Sequence, residues 1–132
     1  MYINQIIEEN LKGSEKEEIV TQPKELVEVK DAIERLNGET KTGVVLKKDD
    51  TNYMIVGGGK DNKYVVYAHV NARMYIMANK FDVPKPSLEM IVGGKKKIFP
   101  SKRCLNLKMV LEGAKHFADR GTLAQTFNWE IQ

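Results

Sequence analysis

The chain has 132 residues, 42% of them hydrophobic and 30% charged, which is the size and balance of a single domain, residues 1–132, with one core. Its only cysteine, Cys104, excludes an internal disulfide and a four-cysteine metal site, and no apolar run approaches the ~20 residues that cross a bilayer. The net charge is +3, yet residues 1–40 carry ten acids against five bases, and residues 41–132 carry sixteen bases against eight acids.

The start of the chain predicts a short hairpin. Residues 2–7 have strand-forming side chains, and residues 10–18 have the polar composition of a loop. Ile19 and Val20 then extend a second short strand. The acidic stretch between the two strands is therefore predicted as a connection.

An amphipathic helix follows this hairpin. Thr21 can cap it, Pro23 fits its first turn because no N–H group is needed there, and Gly38 supplies a left-handed stop. Four apolar residues share one face at the 3.6-residue repeat: Leu26, Val29, Ile33 and Leu36. The opposite face is charged, so we expect this helix to lie on a sheet with its back to water.

The middle of the chain predicts an antiparallel meander of short strands. Strand-like runs fall at residues 43–47, 53–56, 64–70, 74–78, 88–92 and 97–99. Residues 81–87 contain Pro84 and Pro86, which cannot donate to a sheet ladder, so this segment is predicted as a loop. The three glycines before Lys60 predict a hairpin turn, because a phosphate loop needs Gly-Lys-Ser/Thr at the start of a helix.

The strongest local pattern is a second amphipathic helix. Asn106 can cap this helix and Gly121 can end it. Its apolar face consists of Leu107, Val110, Leu111, Ala114, Phe117 and Ala118. A closing strand at residues 126–130 brings Trp129 to this face, which makes Phe117 and Trp129 predicted core residues. The predicted fold class is α+β, an antiparallel β-meander sheet packed against two amphipathic helices.

Reactive side chains are few and scattered. His69 and His116 fall on different predicted elements, and neither has the spacing to Cys104 or to carboxylates that a metal site or a nucleophile needs. We predict structural roles for all three residues. No catalytic residue, metal ligand or cofactor site is predicted, so the expected function is binding.

The last third of the chain carries marks of a known family. They are Gly93, Gly94, Phe117, Gly121, Trp129 and Glu130. A strand runs into the two glycines, the helix ends near its Phe and Gly, and the Trp-Glu pair follows in the closing strand. In this order, over residues 43–130, the chain resembles the immunity protein one family of bacterial polymorphic toxin systems.

The resemblance implies a cytoplasmic immunity protein that is not an enzyme. Proteins similar to it bind the toxin domain encoded beside them, commonly a deaminase or nuclease, and block its active site or substrate groove. The alternative is a small regulatory or nucleic-acid-associated module that uses the basic region 80–103, although nucleic acid is the less favoured partner. The salt dependence of binding distinguishes the two hypotheses. The affinity for nucleic acid falls steeply with ionic strength, whereas the affinity of a tight protein–protein interface falls far less.

Two charged surfaces are candidates for contact with a toxin. The first is formed by the turn acids Asp49, Asp50 and Asp61. We favour it over the acids of residues 8–18, because toxins that act on polyanions have basic grooves and a hairpin tip enters a groove at little ordering cost. The second is the run Lys95, Lys96 and Lys97, which would suit a toxin with an acidic face. The sign of the interface therefore stays open.

Overall fold

Alternating apolar side chains and tight turns divide most of the chain into strands. The computed structural model describes residues 1–80 and 85–132. Its strands are β1 (Gln5–Lys12), β2 (Glu15–Thr21), β3 (Gly43–Asp49), β4 (Asn52–Gly58), β5 (Tyr64–Val70), β6 (Arg73–Ala78), β7 (Leu88–Val92), β8 (Lys95–Phe99) and β9 (Asn128–Ile131). The helices are α1 (Leu26–Glu34) and α2 (Leu107–Arg120).

Seven of the strands form one antiparallel sheet in the order β2-β1-β3-β4-β5-β6-β9. Strands β7 and β8 form a separate antiparallel hairpin. The α+β prediction is confirmed. No helix among the described residues is long and apolar enough to cross a membrane.

The main core lies between the sheet and the two helices. Both helices pack on the same face, where α1 buries Val29 and Ile33 and α2 buries Phe117. Phe117 is 0% exposed, and its ring forms a T-shaped contact with the Tyr2 ring, with the ring centroids 5.8 Å apart. Trp129 packs against this core from β9 but is only half-buried, and its Nε1 donates to the Ala124 carbonyl at 2.9 Å.

The β7–β8 hairpin covers part of the other face of the sheet. A second, smaller core forms there from Val65, Met90, Val92 and Phe99. Gly57 of β4 permits this contact, because a Cβ at that position would lie 2.3 Å from Cγ1 of Val92. The hairpin therefore depends on a glycine whose backbone conformation is an ordinary extended one.

Two local predictions about the start of the chain are wrong. The stretch 10–18 is not a loop, because β1 and β2 continue through it and leave only Gly13 and Ser14 in the turn. Thr21 does not cap α1, since it pairs with Ile6 in the sheet. The helix begins after Glu25, whose backbone N–H donates to Glu28 Oε2 at 2.9 Å.

The predicted boundaries of the second helix agree with the structure. Asn106 Oδ1 accepts a hydrogen bond from the Met109 N–H at 2.9 Å, and Gly121 ends the helix with a φ of +74°. A Cβ at Gly121 would also lie 2.6 Å from the Tyr2 ring, so both conformation and space require glycine there. Part of the loop predicted for residues 81–87 falls on 81–84, which lie outside the described residues.

Candidate functional site

The three predicted turn acids do not form one surface. Asp49 and Asp50 lie in the β3–β4 turn, whereas Asp61 lies at the opposite end of β4, in the β4–β5 connection. The Asp49 carboxylate accepts hydrogen bonds from the Thr51 N–H at 2.9 Å and from Asn52 Nδ2 at 3.0 Å, and these bonds lower its pKa. Asp49 therefore organises its own turn.

Asp50 is almost fully open to solvent. Its side chain is 94% exposed, and it forms an ion pair with Lys47 at 2.9 Å. An exposed pair of this kind contributes little to stability, so the carboxylate can exchange its partner readily. The charge of Asp50 is therefore available at the surface.

Asp61 and one lysine of the run, Lys96, line the same cleft. The cleft has a volume of about 300 Å³ and lies between the β4–β5 connection and β7. Its charged lining consists of Glu39, Asp61, Glu89, Lys60, Lys63 and Lys96. Lys96 also pairs with Glu89 at 3.5 Å, while Lys95 and Lys97 stay exposed on β8. Because three acids face three bases, the cleft has no single sign of charge.

The basic region 80–103 also uses some of its charges within the protein. Glu130 of β9 accepts from Lys102 Nζ at 2.7 Å and from Arg103 Nε at 2.9 Å. These two partners lower the pKa of the Glu130 carboxyl. The two residues of the Trp-Glu pair therefore have different contacts. Trp129 packs against the main core on the side of α2, and Glu130 ties β9 to the segment before that helix.

The histidines lie on opposite sides of the sheet. His69 stacks on Tyr53 with the ring centroids 4.3 Å apart and an interplanar angle of 14°. His116 lies on α2, and its Nε2 is 2.9 Å from Thr122 Oγ1. Cys104 packs against the second core. Within the part of the chain that the structure describes, no three His, Cys, Asp or Glu residues are grouped as a metal site would require.

An apolar row crosses the sheet on the face opposite the helices. Strand pairing aligns Ile7, Val45, Ile55 and Tyr67 on four successive strands, and each is half-buried. The alternation in each strand is visible in the sequence, but the row depends on the register between strands. Sequence reasoning therefore missed it.

The edge of the sheet at β2 is acidic and exposed. All seven residues of β2 are exposed, and three of them are Glu against one Lys. Val20 is 54% exposed and Ile19 is 40% exposed. We call this strand the acidic edge, defined as Glu15–Thr21.

Beside the acidic edge, Glu9 is buried in a niche of glycines. Glu9 is 6% exposed, and its Oε1 has no hydrogen-bond partner among the described residues. This oxygen lies 3.0 Å from the place that a Cβ on Gly94 would take, and 3.9 Å from Lys16 Nζ. Burial raises the pKa of the Glu9 carboxyl, Lys16 partly offsets that rise, and Glu18 adds to it.

Glu9→Gln should stabilise the protein near neutral pH, by about 1 kcal/mol, because it removes a charge that is buried without a full set of hydrogen bonds. Since the pKa of Glu9 is raised in the folded state, the native protein holds a proton that the unfolded chain has lost. Wild-type stability should therefore fall as the pH rises above about 4, and the Gln variant should lack that part of the fall. Thermal unfolding of both proteins between about pH 4 and about pH 7 measures the difference.

The matched control is Glu15→Gln, which changes an exposed acid of the same strand that pairs with Lys12 and not with Glu9. It should leave the pH dependence close to that of the wild type. A Glu9→Gln protein that is less stable across the whole range would contradict the prediction.

Comparison with known proteins identifies a family whose model matches most of the chain. A family model described as "Immunity protein Imm1" matches residues 15–130, from the first residue of β2 into β9. The match includes the acidic edge, both helices and the β7–β8 hairpin. No curated protein matches the chain significantly.

Proposed function

Because the chain belongs to the Imm1 family of immunity proteins, we propose that it neutralises one cognate toxin domain by binding it and covering its active site or substrate groove. The toxin is of the deaminase or nuclease type. The protein acts in the cytoplasm of the producing cell, as one domain, and performs no chemistry on its partner.

The family match over residues 15–130 carries this proposal. The charge distribution supports it, because the acids concentrate in the first forty residues and the acidic edge presents three of them to solvent. Toxins that act on nucleic acid need basic grooves to attract their substrate. A rigid acidic surface is complementary to such a groove and competes with the substrate for it.

Of the predicted turn acids, Asp50 fits this role best. Its side chain is 94% exposed, whereas Asp49 is held within its own turn and Asp61 lines the mixed cleft with Lys96. The run Lys95, Lys96 and Lys97 is the alternative surface and would suit a toxin with an acidic face.

Titration of toxin activity tests the proposed function. The probe is the C-terminal domain encoded by the reading frame beside this gene, assayed on single-stranded and duplex nucleic acid. Increasing amounts of this protein should reduce the toxin activity linearly and abolish it at one molar equivalent, as a tight binder does. Loss of toxin activity at a small fraction of an equivalent would indicate turnover, and an unchanged activity at excess protein would refute the proposal.

A further inference from the structure

We infer that the toxin docks by strand addition: an extended, basic segment of the toxin domain pairs with the outer side of the acidic edge and continues the seven-stranded sheet. This inference rests on the proposed function and specifies its geometry. In this mode the backbone hydrogen bonds supply affinity, and the alternate side chains supply specificity.

The backbone of the acidic edge has the regularity that strand addition needs. Strand β2 pairs with β1 over seven consecutive residues without a shift in register, and it contains no proline. The β1–β2 turn holds only Gly13 and Ser14, so the hairpin is tight up to its tip. All seven residues are exposed. The strand therefore offers an uninterrupted, accessible template.

The hydrogen bonding of β1 identifies which groups of β2 face outward. Leu11 of β1 donates its backbone N–H to the Thr40 carbonyl at 2.7 Å and so does not use it toward β2. Backbone groups alternate along a strand, so the neighbours of Leu11 pair with Glu15 and Glu17, and alternate residues of β2 face away from β1. The residues whose N–H and C=O groups face outward are Lys16, Glu18 and Val20.

The opposite edge of the sheet is less suited to strand addition. Strand β9 has only four residues, against seven in β2. The side chain of its Glu130 is also tied by two ion pairs to Lys102 and Arg103. Of the two edge strands, β2 is therefore the better template for an added strand.

Charge selects the occupant of this edge. Glu15, Glu17 and Glu18 outnumber Lys16, so pairing between two copies of the strand would bring two acidic surfaces together. Charged edge residues commonly prevent such self-association. The same residues attract a basic strand, and a toxin with a polyanionic substrate carries basic residues at its groove. The occupant is therefore a basic toxin segment.

Apolar contacts complete the site on both sides of the edge. Val20 pairs with Ile7, which begins the apolar row on the face opposite the helices. Ile19 lies on the face that the helices cover. Both β2 residues are substantially exposed in the free protein, at 54% and 40%. An added strand would cover them and continue the row by one strand.

The decisive variant is Val20→Pro, with Val20→Ala as its matched control. Both substitutions remove the exposed valine side chain, but only proline removes an outward N–H donor, and proline is tolerated on edge strands. We expect Val20→Pro to bind the toxin domain at least about tenfold more weakly than Val20→Ala, as measured by titration calorimetry. Thermal unfolding of both variants confirms that they are folded.

Hydrogen exchange on the wild-type protein gives a second readout that needs no variant. In the free protein, the amides of Lys16, Glu18 and Val20 should exchange quickly, and those of Glu17 and Ile19 slowly. In the complex, the three outward amides should also become slow. If the toxin is inhibited while these amides stay fast and both Val20 variants bind equally, the inference is wrong and the immunity function stands.

Charge reversals distinguish the remaining surfaces. Glu17→Lys with Glu18→Lys should lower the association rate by about tenfold at low salt, Asp50→Lys should lower it less, and the pair Lys95→Glu with Lys96→Glu should leave it nearly unchanged. A reversed order would place the toxin at the β3–β4 turn or at β8 and overturn the inference. So would a wild-type dimer that Val20→Pro dissociates, because the edge would then bind a second copy. Absence of any inhibition would remove the proposed function and this inference together.

Discussion

Phe117→Ala should lower the free energy of unfolding by about 3–5 kcal/mol, the largest effect expected from any single truncation in this chain. Phe117 is 0% exposed, lies on the buried face of α2 and forms a T-shaped contact with the Tyr2 ring. The substitution removes an aromatic ring where both helices and the sheet converge, and close packing leaves the remaining cavity only partly filled. Urea denaturation followed by far-ultraviolet circular dichroism measures the loss.

Phe117→Leu is the matched control for this prediction. It keeps most of the apolar volume and should cost much less than the alanine variant. A loss below about 1 kcal/mol for Phe117→Ala would mean that α2 does not anchor the core as the packing indicates.

Gly57→Ala should be the second most damaging change, at about 1–3 kcal/mol, although it adds only one methyl group. Its Cβ would lie 2.3 Å from Cγ1 of Val92 and 3.1 Å from Cβ of that residue. Valine is branched at Cβ and has few alternative rotamers, so the β7–β8 hairpin must move away from β4. Chemical denaturation gives the energy, and hydrogen exchange in β7 and β8 shows whether the loss falls on the hairpin.

A second-site change tests the cause. Val92→Ala removes the two methyl groups that the new Cβ would meet, so the double variant Gly57→Ala, Val92→Ala should be less destabilised than the sum of the single variants. If the losses of stability in the two single variants simply add up in the double variant, the loss caused by Gly57→Ala comes from its own strand and not from contact with the hairpin.

The elements whose own residues carry a clear local pattern could be predicted from the sequence. Helix α2 has a cap at Asn106, a stop at Gly121 and a regular apolar stripe, and all three signals arise within the segment itself. The sequence predicts strand β5 with its observed bounds, because β-branched and aromatic residues fill it between two turns. In these segments the local preference and the tertiary burial agree.

The acidic edge could not be predicted in this way. Strand β2 is exposed on both faces, so no apolar alternation distinguishes Glu15–Thr21 from a loop. Its structure comes from pairing with β1, which is a tertiary fact. The same pairing holds Thr21 in the sheet and moves the start of α1 to Leu26.

The candidate surfaces were visible only in part. The sequence identifies Asp50 and Lys96 as charged residues near turns, but not that Lys96 shares a cleft with Asp61 while Asp50 lies at the other end of β4. Half-burial of Trp129 likewise depends on the edge position of β9. Such features follow from which strands are neighbours, and composition does not contain that information.

The return of β9 to β6 has a consequence for how the chain folds. Residues 79–127 separate these two neighbouring strands, which makes this the longest connection within the seven-stranded sheet. Closing a long loop before its contacts form is what slows folding in proteins with distant strand pairs. Trp129, the only tryptophan of the chain, lies in β9, and its indole N–H is bonded to the Ala124 carbonyl. We therefore expect its fluorescence to report the step that closes the sheet.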